Sequence, residues 1–340
     1  RTDIKSMTSG ELAAAFEKMG EPKFRAGQVF KWLSEGARSF EEMTNIPKKL
    51  RAGLGETYSV SQPKLLRAQT SDRDGSAKYL WGFEDGNCVE SVVMPYRHGD
   101  TVCVSSQAGC RMGCAFCATA AGGLARNLAA SEMLDQVVFG GIERGARVTN
   151  IVLMGMGEPL DNFDNVIRFL RIVGDGGGAN VGMRRISLST CGLAEKVDKL
   201  SEYNLQLTLS ISLHAPDDET RSRLMPVNRG TGVDRLFESA RRYFDATGRR
   251  VSYEYALINR VNDFPAQARS LARKVAQAGG HLNLITLNRV PGGEFRPSER
   301  ERVGAFEAVL REKRVNYTFR RRLGGDIDAA CGQLRGGIEK

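Results

Sequence analysis

Strand-like apolar runs alternate with amphipathic helical patterns along most of this chain, from Thr101 to about residue 312. Each run is followed by a stretch with apolar residues at helical spacing, as at Met133 and Val137. Strands that alternate with helices form parallel βαβ units with right-handed crossovers. The pattern therefore predicts an α/β fold with six such units, an incomplete (β/α)6 barrel, with a doubly wound sheet as the alternative.

The repeating units have approximate bounds. The six predicted strands lie near residues 101–105, 149–155, 184–190, 205–213, 251–258 and 281–288. The predicted helices lie near residues 131–144, 162–174, 193–201, 231–246, 265–278 and 298–312. A glycine-rich patch at 174–178 follows a helix, on the face opposite a barrel's active site, and we interpret it as a loop.

Three regions differ in pattern. Residues 1–55 predict a basic helical accessory domain that binds RNA, in which Thr8 and Glu11 have the spacing of a capping box. Residues 56–100 show strand-like runs separated by turn residues and predict a β-rich connecting element. Residues 101–340 would form the barrel and a C-terminal cysteine loop.

Charge and cysteine content narrow the function classes. The 49 Lys and Arg against 40 Asp and Glu give a net charge of +9, which favours an anionic partner without requiring one. The 7 cysteines are too few for a disulfide scaffold and are typical of a reducing compartment, so a cytoplasmic location is expected. No apolar run approaches the roughly 20 residues that span a bilayer, and the polar first twenty residues predict no signal peptide.

The strongest chemical motif consists of Cys110, Cys114 and Cys117. Three thiols this close in sequence can surround one metal centre. Zinc sites usually have four ligands, whereas three thiolates on a four-iron cluster leave one iron open for another ligand. A structural zinc site or incidental buried thiols are the alternatives.

Short segments with polar residues lie at or just after the ends of several predicted strands. They contain Gly157 and Glu158 for the second strand, Ser189 for the third, Ser212, Leu213 and His214 for the fourth, and Asn288 for the sixth. Each has an ordinary reading as a turn, a core histidine or a cap. Because the carboxyl ends of barrel strands meet at one rim, together they predict a single pocket that includes the cysteines.

The cysteine spacing resembles that of the radical S-adenosylmethionine enzymes. Further segments resemble the RNA adenine-methylating enzymes of the RlmN and Cfr types within that superfamily. These segments are 24–26, 42–48, 101–110, 127–128, 154–159, 212–216, 224–228 and 325–334. The resemblance covers nearly the whole chain.

The resemblance implies a [4Fe–4S] cluster and two molecules of S-adenosylmethionine per turnover, one of which yields a 5′-deoxyadenosyl radical. It places the three motif cysteines on the cluster. It assigns the cofactor to Gly157, Glu158, Ser189, Ser212, Leu213, His214 and Asn288.

The resemblance also implies roles for three more residues. Cys331 would accept a methyl group and carry it to the adenine ring, forming a covalent protein–RNA adduct. Cys103 would resolve that adduct by forming a disulfide with Cys331, and Glu90 would remove the ring proton. By pattern alone Cys103 is a small apolar residue of a strand, and Glu90 is a polar residue on a half-exposed strand.

The implied substrates are adenosine 2503 of 23S rRNA and adenosine 37 of tRNA, methylated at carbon 2. Basic clusters at 249–250, 311–314 and 320–322 could bind phosphates. An electron donor such as flavodoxin or ferredoxin is expected as a partner, and the protein is expected to be a monomer without membrane contact.

Three alternatives stay open. Methylation at carbon 8, as in the Cfr type, is disfavoured by Pro159, because that type typically has Ala after the glutamate. A radical enzyme for small molecules or peptides would leave Cys103 and Cys331 unexplained. A non-enzymatic RNA-binding metalloprotein would be a colourless zinc protein.

Overall fold

The computed structural model describes residues 1–336. The strands are β1 (Thr2–Asp3), β2 (Tyr58–Ser59), β3 (Lys64–Thr70), β4 (Ala77–Gly82), β5 (Cys88–Tyr96), β6 (Gly99–Cys103), β7 (Gln107–Gly109), β8 (Leu124–Asn127), β9 (Val148–Leu153), β10 (Ile186–Thr190), β11 (Thr208–Ser212), β12 (Ser252–Leu257), β13 (His281–Thr286) and β14 (Tyr317–Phe319). The α-helices are α1 (Ser9–Lys18), α2 (Lys23–Ser34), α3 (Lys48–Thr57), α4 (Ala130–Arg144), α5 (Phe163–Val173), α6 (Ala194–Ser201), α7 (Asp218–Leu224), α8 (Asn228–Thr231), α9 (Val233–Thr247), α10 (Pro265–Ala278) and α11 (Arg300–Glu312). In this part of the chain no helix is long and apolar enough to cross a membrane.

One sheet of ten strands, in the order β14-β13-β12-β11-β10-β9-β6-β5-β4-β3, organises the protein. The parallel strands of this sheet are β6, β9, β10, β11, β12, β13 and β14, and the first six of them correspond to the six predicted strands. Strands β3 to β5 pair antiparallel and join the parallel strands where Val92 of β5 faces Cys103 of β6. The region predicted as a connecting element is thus continuous with the main sheet.

The sheet curves into a partial barrel. Strands β9 and β14 are five positions apart, which in a flat sheet would separate them by about 24 Å. Yet Nη2 of Arg320, just after β14, lies 3.3 Å from Sδ of Met154, just after β9. Two side chains cannot bridge a flat sheet of that width, so the strands must bend round a common interior. This confirms the incomplete barrel and excludes the doubly wound alternative.

The N-terminal helices pack against the outside of the barrel and share its hydrophobic core. The predicted capping box is present, since Thr8 N–H donates to Glu11 Oε2 at 2.8 Å. A buried ion pair of 2.6 Å joins Lys5 to Asp135 of α4. The loop 174–178 lies against α2 so closely that a Cβ on Gly178 would sit 2.5 Å from Ser34 Oγ. The glycine patch is therefore a packing loop, as predicted.

Candidate active site

A cavity of about 170 Å³ opens at the carboxyl ends of the parallel strands. Its walls come from the loops after β6, β9, β10, β11 and β13, from β12 itself and from the C-terminal segment. Of the predicted site residues, the structure brings together Cys110, Cys114, Cys117, Gly157, Glu158, Ser189, Ser212, His214, Asn288 and Cys331. Leu213, Cys103 and Glu90 lie outside this cavity.

The three motif cysteines occupy a tight loop that is held by backbone hydrogen bonds. Cys110 N–H donates to Gly123 O at 2.7 Å, and Cys117 N–H donates to Cys114 O at 3.1 Å. Gly109 has φ +79°, and a Cβ there would lie 2.0 Å from Gly123 O, so only glycine fits. All three cysteines of this loop therefore line the cavity.

The number of these thiols bears on the kind of centre they could hold. A structural zinc ion usually has four protein ligands, whereas three thiolates on a four-iron cluster leave one iron open for another ligand. Burial raises the pKa of Cys110 to about 11, so its thiolate needs a nearby positive charge such as a metal supplies. The arrangement therefore fits a cluster better than a zinc ion.

Glu158 connects two loops of the cavity wall. Its Oε2 accepts from Cys191 N–H at 2.6 Å and its Oε1 accepts from Leu160 N–H at 3.0 Å. The pKa of this carboxyl is raised, because the effect of burial is larger than the lowering effect of the two N–H donors. A carboxylate has about four acceptor positions, so the two oxygens can still accept from a ligand. The neighbouring Gly157 has φ +98°, and a Cβ there would meet Gln107 at 2.5 Å.

Glu254 of β12 lies at the centre of the polar wall, and the sequence analysis missed it. Its Oε2 accepts from Ser189 Oγ at 2.9 Å and from Ser212 Oγ at 3.3 Å, while its Oε1 accepts from Arg320 at 3.1 Å. A buried carboxylate inside an otherwise apolar strand was the signal that could have revealed it. Glu254 orients both predicted serines.

His214 is held as a neutral ring. It has φ +56°, and its Nδ1 accepts from Ala256 N–H at 2.9 Å. Burial lowers the pKa of His214 to about 3, so the ring carries its one proton on Nε2 at neutral pH. The side chain thus offers the cavity an N–H donor that does not titrate in the physiological range.

Asn288 presents an unpaired acceptor. Its Nδ2 donates to Cys331 O at 3.0 Å, whereas its Oδ1 is buried and has no partner among the described residues. An unpaired buried acceptor costs about 1–3 kcal/mol. A bound molecule with a hydroxyl or amino donor would remove that cost.

Arg221 holds two loops of the site in place through hydrogen bonds to their backbone. Its side chain is fully buried and donates to the carbonyls of Leu213, Ser212 and Cys191. These contacts fix the loops that follow β10 and β11. Leu213 points into the core, so its contribution to the site is limited to its backbone.

Cys103 and Cys331 line a second, smaller cavity of about 50 Å³. Met154, Asn288 and Arg320 belong to the walls of both cavities. Cys331 is exposed and Cys103 is buried at the end of β6, where burial raises the pKa of its thiol to about 12.

Glu90 lines neither cavity. Its Oε1 pairs with Lys78 at 3.1 Å, and its Oε2 accepts from the N–H of Arg335 at 2.7 Å and of Gly336 at 3.3 Å. The C-terminal segment therefore covers this carboxylate in the structure.

The arginines of 320–322 do not act as one run. Arg320 turns inward to Glu254, whereas Arg321 and Arg322 are exposed. The sequence-based assignment of Arg320 to a phosphate-binding cluster is therefore wrong, because its guanidinium is paired inside the site.

Known proteins resemble this chain over its whole length. Residues 104–269 match the family model of the radical SAM superfamily, and residues 2–60 match that of the ribosomal RNA large subunit methyltransferase N-terminal domain. A probable dual-specificity RNA methyltransferase RlmN from Lachnoclostridium phytofermentans is 46% identical over 338 residues, which cover 98% of this chain and 94% of that protein. One from Desulforamulus reducens is 45% identical over 336 residues, covering 98% and 96%. The crystal structure of a radical SAM methyltransferase from Sphaerobacter thermophilus is similar with a TM-score of 0.94 and 42% identity, covering 99% of this chain and 100% of that one.

Proposed function

This chain belongs to the RlmN family within the radical SAM superfamily, and from that membership we propose that it methylates carbon 2 of adenosine in RNA. The proposed targets are adenosine 2503 of 23S rRNA and adenosine 37 of tRNA. The relatives are named as dual-specificity RNA methyltransferases, which supports an RNA substrate of two kinds. Methylation at carbon 8 is the competing outcome.

Membership in the superfamily implies a [4Fe–4S] cluster and S-adenosylmethionine. Cys110, Cys114 and Cys117 would hold the cluster, while Gly157, Glu158, Ser189, Ser212, Leu213, His214 and Asn288 would hold S-adenosylmethionine. When bound, these groups would supply a methyl group and, through one-electron reductive cleavage of S-adenosylmethionine, a radical that removes a hydrogen atom. The unpaired Asn288 Oδ1 and the His214 Nε2–H offer the acceptor and donor that a polar cofactor needs.

One observation carries the proposal. Cys103 and Cys331 line the same small cavity, and part of its wall also lines the larger cavity. In the proposed route Cys331 carries the methyl group, and its carbon becomes bonded to the adenine ring. Cys103 then attacks the Cys331 sulfur. An S–S bond forms, the S–C bond breaks, and the thiol proton ends on the released methyl carbon, so both sulfurs are oxidised as the carbon is reduced. Loading and cleavage would consume two S-adenosylmethionine molecules per turnover.

Glu90 is the proposed base for the ring proton. Its carboxylate is buried beside Lys78 and lies under the backbone of residues 335–336. It would therefore act after this segment has moved aside.

A basic rim next to Cys331 supports the choice of RNA as substrate. Arg289, Arg296 and Arg322 line an open cavity of about 520 Å³, to which Asp328 and Gln333, close to Cys331 in sequence, also contribute. Arg322 lies flat over Gly325, where a Cβ would come within 2.5 Å of its Nε. A base that reaches Cys331 must leave its stack, so the phosphates beside it would lie on this rim. Arginine suits these phosphates because it can donate to two oxygens at once.

The rim yields a binding prediction. The double variant Arg289→Ala, Arg322→Ala should bind RNA about tenfold more weakly. The negative slope of log K against log salt should become shallower by about 2, because two phosphate contacts are lost. Fluorescence anisotropy with labelled RNA at several salt concentrations measures both quantities. Arg241→Ala, on the distant helix α9, is the matched control and should bind like the wild type. An unchanged salt slope in the double variant would remove this rim from the RNA interface.

Glu158→Ala should weaken S-adenosylmethionine binding by roughly ten- to a hundredfold, because a charge-assisted hydrogen bond is worth about 1.5–3 kcal/mol. Iron content should stay near that of the wild type, since the cysteine loop is held by other contacts. Calorimetry and iron analysis give the two readouts. Glu158→Gln keeps one acceptor for the backbone N–H groups and should show a smaller loss. Equal binding by Glu158→Ala and the wild type would exclude the residue from the cofactor site.

The proposed function is tested by mass analysis of nucleosides. RNA is treated with reconstituted protein, S-adenosylmethionine and a reductant such as flavodoxin, then digested. We expect 2-methyladenosine. A product of 8-methyladenosine would select the competing reaction, and the absence of any methylated adenosine would overturn the proposal.

A further inference from the structure

Arg320 lies in the wall that separates the larger cavity from the smaller one. Its side chain is only 23% exposed, in contrast to the exposed side chain of Arg321. Nη1 donates to Glu254 Oε1 at 3.1 Å, and Nη2 donates to Met154 Sδ at 3.3 Å. The backbone N–H donates to a carbonyl of β13 at 2.8 Å. The guanidinium is thus fixed at both ends between the two cavities.

The charged and titratable groups that line the smaller cavity are Tyr96, Cys103, Arg320, Arg321, Arg322 and Cys331. Cys331, Arg320 and Glu254 influence the charge state of the Cys103 thiol, and Tyr96 lies near both sulfurs and near Arg320 and Arg321. Of the three arginines, Arg320 is the one paired with Glu254, whereas Arg321 and Arg322 are exposed. The pKa of Arg320 is raised, chiefly by the negative charge that Cys331 can carry, so it stays protonated throughout the physiological range.

Burial creates a chemical problem for Cys103. A pKa of about 12 leaves a thiolate fraction on the order of 10⁻⁵ at neutral pH. Only the thiolate attacks another sulfur efficiently. A fixed positive charge beside the thiol lowers the cost of forming that thiolate, and the same charge lowers the pKa of Cys103 in the structure.

We propose that Arg320 is a positioning residue that stabilises negative charge on the Cys103 sulfur while Cys103 attacks the sulfur of Cys331. The identity of the attacked group rests on the proposed function: in turnover it is the thioether that joins Cys331 to the adenine methylene. The S–S bond forms as the S–C bond breaks, and the proton of Cys103 passes to the released carbon. Glu254 keeps the guanidinium in the wall, so the cation faces the sulfurs instead of solvent.

The test measures thiol chemistry without RNA. Anaerobic holoenzyme is treated with diamide, a thiol oxidant, over a range of pH. The Cys103–Cys331 disulfide is quantified by mass spectrometry after an acid quench and digestion. Arg320→Met should form this disulfide about tenfold more slowly at neutral pH, since one pKa unit changes the thiolate fraction tenfold. The pH midpoint of its rate should move upward.

Two further variants separate charge from structure. Arg320→Lys keeps the positive charge and should recover most of the rate. Arg241→Met removes an exposed arginine of α9 that lines neither cavity, and it should match the wild type. A wild-type rate and midpoint in Arg320→Met would overturn the inference, as would an Arg320→Lys variant as slow as Arg320→Met. Wild-type protein that never methylates RNA but shows this dependence on Arg320 would refute the proposed function and leave the inference standing.

Discussion

Replacing Cys103 with alanine should leave this protein covalently joined to its RNA. The proposed methyl carrier Cys331 is exposed and is not altered by the substitution, so loading and attack on the ring should still proceed. The adduct cannot be resolved, because Cys103 is the thiol that shares the small cavity with Cys331. The joined species should persist in denaturing gels and disappear after nuclease digestion, and methylated product should fall to background.

Other cysteine variants should behave differently in the same experiment. Cys331→Ala removes the carrier and should give neither product nor adduct. Cys88→Ala is the matched control, since Cys88 is also a strand thiol but lines neither cavity. It should not accumulate adduct. Normal turnover by Cys103→Ala would show that the methyl group travels by another route.

Alanine at Cys110, Cys114 or Cys117 should abolish both methylation and cleavage of S-adenosylmethionine. Each substitution removes one of three thiolates from the proposed cluster, and no other cysteine in the described structure lies in that loop. Iron and sulfide per protein should fall to a small fraction of the wild-type value, together with the broad visible absorbance.

Cys191→Ala provides the control for the cluster. Cys191 lines the same cavity, but it follows β10 and its thiol is buried. Its iron content should equal that of the wild type. Full iron content in any of the three loop variants would contradict the cluster assignment. Zinc in place of iron in anaerobically prepared wild-type protein would favour the metalloprotein alternative.

Local pattern was sufficient for most of the secondary structure. The helix predicted at 265–278 has the bounds Pro265–Ala278, and the strand predicted at 149–155 is Val148–Leu153. Strand β3 and helix α7 had no separate prediction, because the local pattern is weak in both. Five of the seven residues of β3 are exposed and the other two are half-buried, so the strand lacks an apolar face of its own. Helix α7 is only seven residues long and carries mostly polar residues.

The site was predictable where residues directly follow strands, because barrel topology gathers those positions at one rim. Glu254, Arg221 and Arg320 could not be placed in the same way. Their importance comes from contacts between elements that are remote in sequence, such as the 66 positions that separate Arg320 from Glu254. For Glu90 the resemblance implied a role, but only the structure shows that the backbone of residues 335–336 covers its carboxylate.

The segment 332–334 is tied to the cysteine loop by two hydrogen bonds. Ala118 N–H donates to Gly332 O at 2.8 Å, and Thr119 Oγ1 donates to Leu334 O at 2.7 Å across 215 positions of sequence. Order in either segment therefore favours order in the other, and thermodynamic linkage makes this coupling equal in both directions. Whatever tightens the cysteine loop also fixes the position of the Cys331 sulfur. A substitution that disorders residues 332–334 should therefore first increase the rate at which the protein loses iron.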